Sequence, residues 1–344
     1  MEPLKNMYSP ALLGTLADAG VASIPHFNRA TFLQQVFDGN WSELELKERI
    51  RRISTCLHGQ MTGNFETDIH HLLAYTDACR KLAGRDNTFE HIFIPDYLEQ
   101  YGLEHPAIAL DAMERITIQS SCEFAIRPYL IRYQDVVMAR LQQWSQHGHA
   151  SVRRLSSEGC RPRLPWGMAI PAFKKDPSPV LPILHTLRTD PSEYVRKSVA
   201  NNLNDIAKDN PHIVLQLAGQ WLGQHPHTDR IVKHGCRTLL KKGNTEVLAL
   251  FGLSDNTSVA VTDLLLKRNT IRVGEYLEFS FSLANNTQVA VPVRLEYAIT
   301  YAKAGGKSSR KVFKISEKNI AADSRVPMSS RQSFADMTTR KHYA

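Results

Sequence analysis

Apolar residues recur at intervals of three and four positions through residues 1 to about 250. In the segment WSELELKERIRRISTCLHG, for example, Ile50, Ile53 and Leu57 follow this spacing, which places an apolar stripe along one face of a helix. Prolines and glycines interrupt the pattern at Gly84, Pro95, Pro106, Pro177, Pro191, Pro211 and Gly243. The sequence therefore predicts helices of about 10 to 18 residues, joined by short connections and packed as antiparallel pairs.

A weak internal repeat suggests how these pairs stack. The segments SVRRLSSEG (151–159) and YVRKSVANN (194–202) share a Val-Arg-basic start and lie 43 positions apart, and DRIVKHGCRTLL (229–240) follows at a similar distance. Helix pairs that repeat every 35 to 45 residues or so are typical of a HEAT-like α-solenoid, in which stacking buries the stripe that one pair leaves open. An irregular helical bundle is the alternative interpretation.

The apolar pattern changes its period near residue 255. Apolar and polar residues then alternate, with the apolar positions at Phe279, Phe281, Leu283, Val291, Val293, Leu295, Tyr297, Ile299, Tyr301, Phe313 and Ile315. Asn285–Asn286 and Gly305–Gly306 predict turns between the strands. We therefore predict a mainly helical protein, with a HEAT-like domain over 1–254 and a small immunoglobulin-like β-sandwich over 255–344. No apolar strand closes the sequence at KHYA, so this sandwich is expected to lack its last strand or to be open there.

Charge points to a polyanionic partner. Lys and Arg number 42 and Asp and Glu 34, which gives a net charge of +8. From residue 255 onward there are 14 basic and 8 acidic residues, a net of +6, so most of the excess lies in the predicted β domain. A basic excess of this kind is typical of proteins that bind nucleic acids, although many other proteins share it.

Several classes of protein are disfavoured by what the sequence lacks. No stretch is long and apolar enough for a membrane span, and no secretory signal stands at the N-terminus. The five cysteines are scattered without a CxxC pair, and the histidines lack the spacing of metal ligands, so we expect a cytoplasmic protein with no metal and no cofactor. Motifs for P-loop nucleotide binding, dinucleotide binding and the hydrolase nucleophile are missing.

Three acidic residues lie in or beside repeated segments: Glu158 in SEGCRPRLPWG, Asp205 in YVRKSVANNLNDI, and Glu123 in SSCEFAIRPYL, whose start SSCEFAIRP (120–128) resembles SSEGCRP (156–162). If the repeats stack, these acids, with Asn201 one turn before Asp205, lie on three successive helices along the concave side. The same segments supply cations that would edge this groove: Arg153, Arg154, Arg161, Arg163, Arg196 and Lys197. Acids within a basic groove would repel a phosphate unless they meet a positive charge on the ligand.

Each of these residues also has a structural interpretation. Glu158 could simply pair with Arg154 four positions earlier, and Asp205 could cap or solvate a helix end. Trp166, between Pro165 and Gly167, could fill the core beneath a loop. In the β domain, the cations of KSSRK (Lys307, Arg310 and Lys311) could contact a phosphate backbone or form a solvated turn.

SEGCRPRLPWG, the SCEF segment and YVRKSVANNLNDIAKDNP (194–211) together resemble the AlkC branch of the AlkC/AlkD-type bacterial DNA alkylation repair glycosylases, and WSELELKERIRRI (41–53) is also similar. The resemblance implies a HEAT-like solenoid that wraps double-stranded DNA and hydrolyses the N-glycosidic bond of cationic alkylated bases, chiefly 3-methyladenine and 3-methylcytosine. It implies that Glu123, Glu158 and Asp205 are catalytic. It also implies that Trp166 lies against the lesion nucleotide and that Arg161 and Arg163 lie beside the backbone.

This chemistry agrees with the residues. A cationic base leaves readily, so a carboxylate near the sugar has to stabilise positive charge and position water. The full set predicted to contact DNA is Arg154, Arg161, Arg163, Trp166, Arg196, Lys197, Lys307, Arg310 and Lys311. We expect a monomeric, monofunctional enzyme that reaches the lesion through bent DNA. Two alternatives stay open: a non-catalytic helical-repeat protein that binds DNA, and a scaffold that binds another protein.

Overall fold

The computed structural model describes residues 3–85, 88–253 and 258–335. They form two compact units, of which the first ends at Cys236 and the second begins at Arg237. The domain boundary predicted between residues 254 and 255 falls outside the described residues and stays a prediction. No helix among the described residues is long and apolar enough to cross a membrane.

The first unit is helical throughout. Its helices are α1 (Pro10–Ser23), α2 (Arg29–Phe37), α3 (Leu46–His58), α4 (Phe65–Ala83), α5 (Phe93–Tyr101), α6 (Pro106–Gln119), α7 (Ile126–Arg132), α8 (Gln134–Trp144), α9 (Ala150–Gly159), α10 (Pro171–Lys175), α11 (Leu181–Leu187), α12 (Glu193–Asp209), α13 (Pro211–Trp221) and α14 (Pro226–Gly235). Short 3-10 turns precede α1, α5 and α11.

The predicted breakers mark most of the helix ends, with one exception. Pro106 and Pro211 occupy the first positions of α6 and α13, where a missing N–H removes no helical hydrogen bond. Gly84 ends α4 in the left-handed conformation, with φ of 63°. Pro95, in contrast, is the third residue of α5 and lies inside its first turn, so it does not separate two helices.

The predicted solenoid is confirmed by the order of packing. Helices α4, α6, α9, α12 and α14 pack side by side in that order, while α8 and α11 contact α9, and α11 and α13 contact α12. The three repeat segments fall on α9, α12 and α14, so the sequence repeat corresponds to successive helices of one row. Apolar residues such as Leu155, Val199 and Ile231 are buried in this row.

The second unit contains two short helices, α15 (Arg237–Lys241) and α16 (Thr245–Leu250), followed by an all-β module. Its strands are β1 (Val259–Leu266), β2 (Tyr276–Asn285), β3 (Val291–Ala302), β4 (Ser308–Ile320) and β5 (Ser324–Ser333). One antiparallel sheet has the order β1-β2-β5 and the other pairs β3 with β4. Residues from both sheets share one buried cluster of Phe279, Phe281, Leu283, Leu295 and Ile320, which confirms a small sandwich.

Two strands were not predicted from the sequence. The exposed β1 carries Leu264, Leu265 and Leu266 in succession, so the alternation is absent there. The polar β5 offers only Val326 and Met328 to the core. The predicted turn at Gly305–Gly306 is confirmed, since both glycines have positive φ between β3 and β4. The question of a missing last strand falls partly on residues 336–344, outside the described part.

The close contact between α14 and α12 at Gly235 gives a test of the helical stacking. A Cβ on Gly235 would lie 2.8 Å from Leu203 Cβ, whereas a Cβ on Gly219 in α13 would have no atom within 4 Å. Gly235→Ala should therefore lower the free energy of unfolding by about 1–3 kcal/mol, because the two helices must move apart. Gly219→Ala is the matched control and should leave stability unchanged or raise it by up to about 1 kcal/mol. Urea denaturation followed by circular dichroism measures both, and equal effects would contradict the close packing.

Candidate active site

The three predicted acids come from three neighbouring repeats. Glu158 is the last residue but one of α9, and Asp205 lies in the C-terminal third of α12. Glu123 lies in the turn between α6 and α7, and not on a helix as predicted, because the chain becomes extended at Ser120. Since α6, α9 and α12 pack in order, all three carboxylates lie near the same ends of adjacent helices.

Cations alternate with these carboxylates to form a continuous network. Arg154 pairs with Glu123, and its Nη2 lies 3.4 Å from Glu158 Oε1. Arg161 donates from Nη1 to Glu158 Oε1 at 2.6 Å and from Nε to Asp205 Oδ2 at 2.7 Å. Lys208 Nζ completes the network 2.8 Å from Asp205 Oδ1. We call this set (Glu123, Arg154, Glu158, Arg161, Asp205 and Lys208) the acid–cation series.

Burial differs along the acid–cation series. The side chain of Asp205 is 1% exposed and that of Glu158 is 6% exposed, whereas that of Glu123 is 17% exposed. Burial alone would lower the pKa of the Arg154 and Arg161 guanidinium groups, but the carboxylates outweigh it and hold both pKa values above the usual range. Glu123 is therefore the carboxylate that a ligand from solvent can reach most readily.

Two residues that sequence reasoning missed support the exposed end of the series. Ser121 accepts a hydrogen bond from Arg154 Nη1 at 2.7 Å and donates to Glu123 Oε2 at 3.0 Å. The ring of Tyr194 lies 4.9 Å from Arg154 Cζ, a cation–π contact across from α12. Ser121 lies within the SSCEF segment that was singled out, but nothing in the sequence marks Tyr194 as a neighbour of Arg154.

A third missed residue, Arg127 of α7, holds the loop after α9. Its fully buried guanidinium donates to the carbonyl oxygens of Gly159 and Arg161, both at 2.8 Å, and to that of Met168. No carboxylate pairs with it directly, and burial lowers its pKa to about 10. Arg127 thereby fixes the backbone on both sides of the segment that carries Arg161.

Trp166 lies at the tip of this segment. The residue is 61% exposed, so the alternative interpretation that it fills the core is wrong. Its φ of 64° is unusual for a residue with a side chain, and the carbonyl oxygen accepts a hydrogen bond from Lys47 of α3. The backbone thus holds a large aromatic side chain out toward solvent, as the predicted contact with a nucleotide requires.

The predicted cations of the helical unit do not share one exposed edge. Arg154 and Arg161 point at the acids, and Arg163 makes a two-pronged ion pair with Asp209 at 2.7 and 2.6 Å. Arg196 donates to the backbone oxygens of Asp190 and Pro191. Contact of these arginines with DNA stays a prediction, and for Arg161 it would require breaking two buried ion pairs.

The remaining predicted residues have simpler surroundings. Lys197 is exposed on α12, and Arg153 pairs with Asp190 Oδ2 at 2.6 Å. Asn201 accepts a hydrogen bond from His234 of α14 at 2.9 Å, so it joins two helices and is not part of the acid–cation series. In the second unit, Lys307 follows the β3–β4 turn, and Arg310 and Lys311 are exposed on β4.

The arrangement favours one kind of chemistry. Three acids and three cations balance, so the series as a whole neither attracts nor repels an anion strongly. A positively charged group could compete with Arg154 for Glu123 and Glu158, and a carboxylate freed in this way would stabilise positive charge on a ligand. Among the described residues, no group of three or more His, Cys, Asp and Glu side chains could hold a metal ion.

Comparison with known proteins gives consistent matches. Residues 260–344 match the family "Uncharacterised protein YhaZ, C-terminal Ig-like domain", so the β module is immunoglobulin-like as predicted. The chain is 46% identical over 343 residues to the protein YhaZ of Bacillus subtilis, covering 100% of this chain and 94% of that protein. It is also similar to Pseudomonas fluorescens alkylpurine DNA glycosylase AlkC bound to DNA containing an abasic site analog. The TM-score is 0.92 at 35% identity, over 99% of this chain and 93% of that one.

The role of Arg127 is testable by its removal. Arg127→Met would leave the carbonyl oxygens of Gly159 and Arg161 buried without this donor, and should lower the free energy of unfolding by about 2 kcal/mol or more. Arg132→Met, on the exposed side of the same helix, is the control and should leave stability unchanged, because that arginine pairs with Glu104 in solvent. Thermal and urea denaturation of both variants provide the measurement. An Arg127 variant as stable as the wild type would show that the loop holds without it.

Proposed function

The chain belongs to the AlkC branch of the bacterial DNA alkylation repair glycosylases, and we propose that it removes cationic alkylated bases from double-stranded DNA. The observation that carries this proposal is the acid–cation series, which places Glu123, Glu158 and Asp205 together in one site. The candidate substrates are 3-methyladenine and 3-methylcytosine, because methylation at N3 gives each base a positive charge within DNA.

The carboxylates suit the charge that develops in this reaction. A cationic base departs as a neutral molecule, so the enzyme needs no general acid to protonate it. The deoxyribose then carries positive charge at C1′, which a nearby carboxylate stabilises while water attacks. At an effective dielectric constant of 20, a carboxylate and a positive charge 4 Å apart attract by about 4 kcal/mol. That energy corresponds to roughly three orders of magnitude in rate if it applies only to the transition state.

Glu123 is the carboxylate that meets the substrate first in this proposal. It is the most exposed of the three acids, and it lies at the end of the series where Arg154 alone is its cation. Glu158 and Asp205 share Arg161 deeper in the protein. Through Arg161 and Arg154 they hold the series together as the substrate cation draws Glu123 away from Arg154, and Glu158 remains close enough to pair with Arg154.

In this proposal, the exposed cations bind the phosphate backbone of DNA. In the helical unit, Lys197 is exposed and Arg163 is 39% exposed beside Asp209, so both can reach phosphates. In the β unit, Lys307, Arg310 and Lys311 are exposed on one turn and strand. We propose that these residues hold DNA bent, at a cost of the order of 1–6 kcal/mol, so that the lesion reaches the acids without full extrusion. The enzyme acts in the cytoplasm, as a monomer and without a cofactor.

Loss of the Glu123 charge tests the catalytic assignment. Glu123→Gln keeps the shape of the side chain but removes the charge that faces C1′, and it should slow release of 3-methyladenine by at least about tenfold. Affinity for DNA should be kept or raised, since a negative charge is removed from a DNA-binding surface. Single-turnover release from methylated DNA, with free bases separated by chromatography, measures the rate.

Glu104→Gln is the matched control for that experiment, because Glu104 also pairs with an arginine but lies outside the acid–cation series. It should release bases at the wild-type rate. Unchanged rates in Glu123→Gln and in Asp205→Asn would reject the catalytic assignment. Absence of base release from the wild type, with DNA binding retained, would favour a non-catalytic DNA-binding protein.

The proposed contact between the β unit and DNA can be tested by measuring how DNA affinity depends on salt concentration. A triple variant in which Gln replaces each of Lys307, Arg310 and Lys311 should show a weaker dependence on salt. The slope of log affinity against log salt concentration should become shallower by about 2 to 3, because each phosphate contact contributes about 0.9 to it. Replacing Lys267 and Arg268 with Gln is the control, since these cations already pair with Glu278 and Glu275. Fluorescence anisotropy with labelled duplex DNA between 50 and 200 mM salt, roughly the range over which such contacts weaken, gives the slope. An unaltered slope in the triple variant would show that this strand does not contact the backbone.

A further inference from the structure

A cleft of about 820 Å³ lies between α3 and α5 in the helical unit. Phe124 and Ala125, which directly follow Glu123, form part of its wall, and Trp166 to Met168 form another part. The carboxylates of the acid–cation series are not among the lining residues, so the cleft adjoins the candidate active site without being part of it.

Most of the cleft wall is apolar. Its larger apolar members are Leu46, Ile50, Ile92, Pro95, Phe124 and Met168. Within this wall, Phe89 is 38% exposed and Met168 is 45% exposed, so both leave apolar surface in contact with water. A flat aromatic ligand would cover these side chains and remove their apolar surface from water.

One end of the cleft carries an excess of negative charge. Arg51 Nη2 lies 3.1 Å from Asp96 Oδ1 and 3.0 Å from Glu99 Oε1, so a single cation serves two carboxylates. Asp96 also accepts a hydrogen bond from Gln100 at 2.8 Å, and burial raises its pKa to about 6. At neutral pH this end therefore favours a ligand that presents a positive charge or N–H donors.

The other charged side chains in the cleft wall are committed elsewhere. Lys47 donates to the Trp166 carbonyl, and Arg52 donates to the Asp38 carbonyl at 2.9 Å. Glu48 accepts the backbone N–H of Glu45 in the cap of α3. The bonds from Lys47 and Arg52 go to neutral backbone oxygens, so both residues keep their charge. Discrimination against a nucleotide therefore comes from Asp96 and Glu99, which repel a phosphate bound beside them.

We propose that this cleft binds a free alkylated nucleobase, with its ring against the apolar wall and its N–H groups toward Asp96 and Glu99. Such a base is the product class of the proposed reaction, so the inference rests on the proposed function. The cleft volume lies within the usual range for small-molecule sites, roughly 300–1,000 Å³, and leaves room for water beside a base. Because Phe124 and Trp166 border the cleft, a released base has a short path from the acids to this site.

Equilibrium dialysis of the full-length protein against 3-methyladenine tests the proposal. The wild type should bind the base saturably at one site. Asp96→Asn, which removes the unbalanced charge, and Phe89→Ala, which removes an exposed ring, should each weaken binding at least tenfold or so. Thr55→Met adds bulk to the exposed wall without breaking an ion pair and should weaken binding similarly. Leu82→Ala, at an exposed position of α4 outside the cleft, is the control and should bind like the wild type.

The outcomes separate the cleft from the proposed reaction. Adenosine monophosphate binding as tightly as 3-methyladenine, absence of saturation at millimolar base, or equal binding by all three cleft variants would overturn the inference. Base release from methylated DNA is measured on the same preparations. Release without binding of the free base would refute the cleft proposal alone, whereas binding without release would refute the proposed function and leave the nucleobase cleft supported.

Discussion

Three carboxylates can remain charged inside this helical unit only because a cation stands between each neighbouring pair of them. Arg154 separates Glu123 from Glu158, and Arg161 separates Glu158 from Asp205. A buried carboxylate without such a partner would cost several kcal/mol and would take up a proton instead. The stacking of α6, α9 and α12 provides the spacing, since each repeat contributes one acid close enough to share an arginine with the next. The fold and the charge state of the site therefore depend on each other.

This balance also explains how a basic protein can carry acids in a surface proposed to bind DNA. The series has no net charge, so it does not add to the repulsion that isolated carboxylates would exert on phosphates. Arg154 holds the exposed Glu123 in the absence of ligand, and a neutral base offers nothing to replace that arginine. A cationic base or a sugar with developing positive charge does offer a replacement. Under the proposed function, selectivity for charged lesions follows from competition between two cations for one carboxylate, and a deep pocket that measures shape is not required.

The sequence predicted the gathering of the acids better than the roles of the arginines. Glu158 and Asp205 lie in segments with a shared Val-Arg start, and a repeat of this length places such segments on adjacent helices, with Asp205 one helical turn beyond Asn201, the residue that aligns with Glu158. Whether an arginine faces solvent or a carboxylate depends on residues far along the chain, so Arg161 was predicted as a phosphate contact although it is buried between two acids. Arg127 lies in the SSCEFAIRPYL segment, four positions after Glu123, but only the path of the loop after α9 gives it three carbonyl partners. Strand β1 was not predicted because its apolar and polar residues do not alternate, and β5 was not predicted because it contains few apolar residues.

The loop after α9 connects the chemistry of the acids with the neighbouring cleft. Arg161, near its start, belongs to the acid–cation series, while Trp166 and Met168, a few residues later, form part of the cleft wall. Arg127 binds the backbone at both places, and Lys47 binds it at Trp166, so neither part of the loop can shift far without the other. A rigid link of this kind keeps the exposed indole at a fixed distance from the carboxylates. A glycosylase needs such a fixed distance if an aromatic side chain is to hold the DNA while an acid faces the sugar. This arrangement requires a left-handed backbone at Trp166, a conformation that is unfavourable for a residue with a side chain, and the hydrogen bond from Lys47 stabilises it.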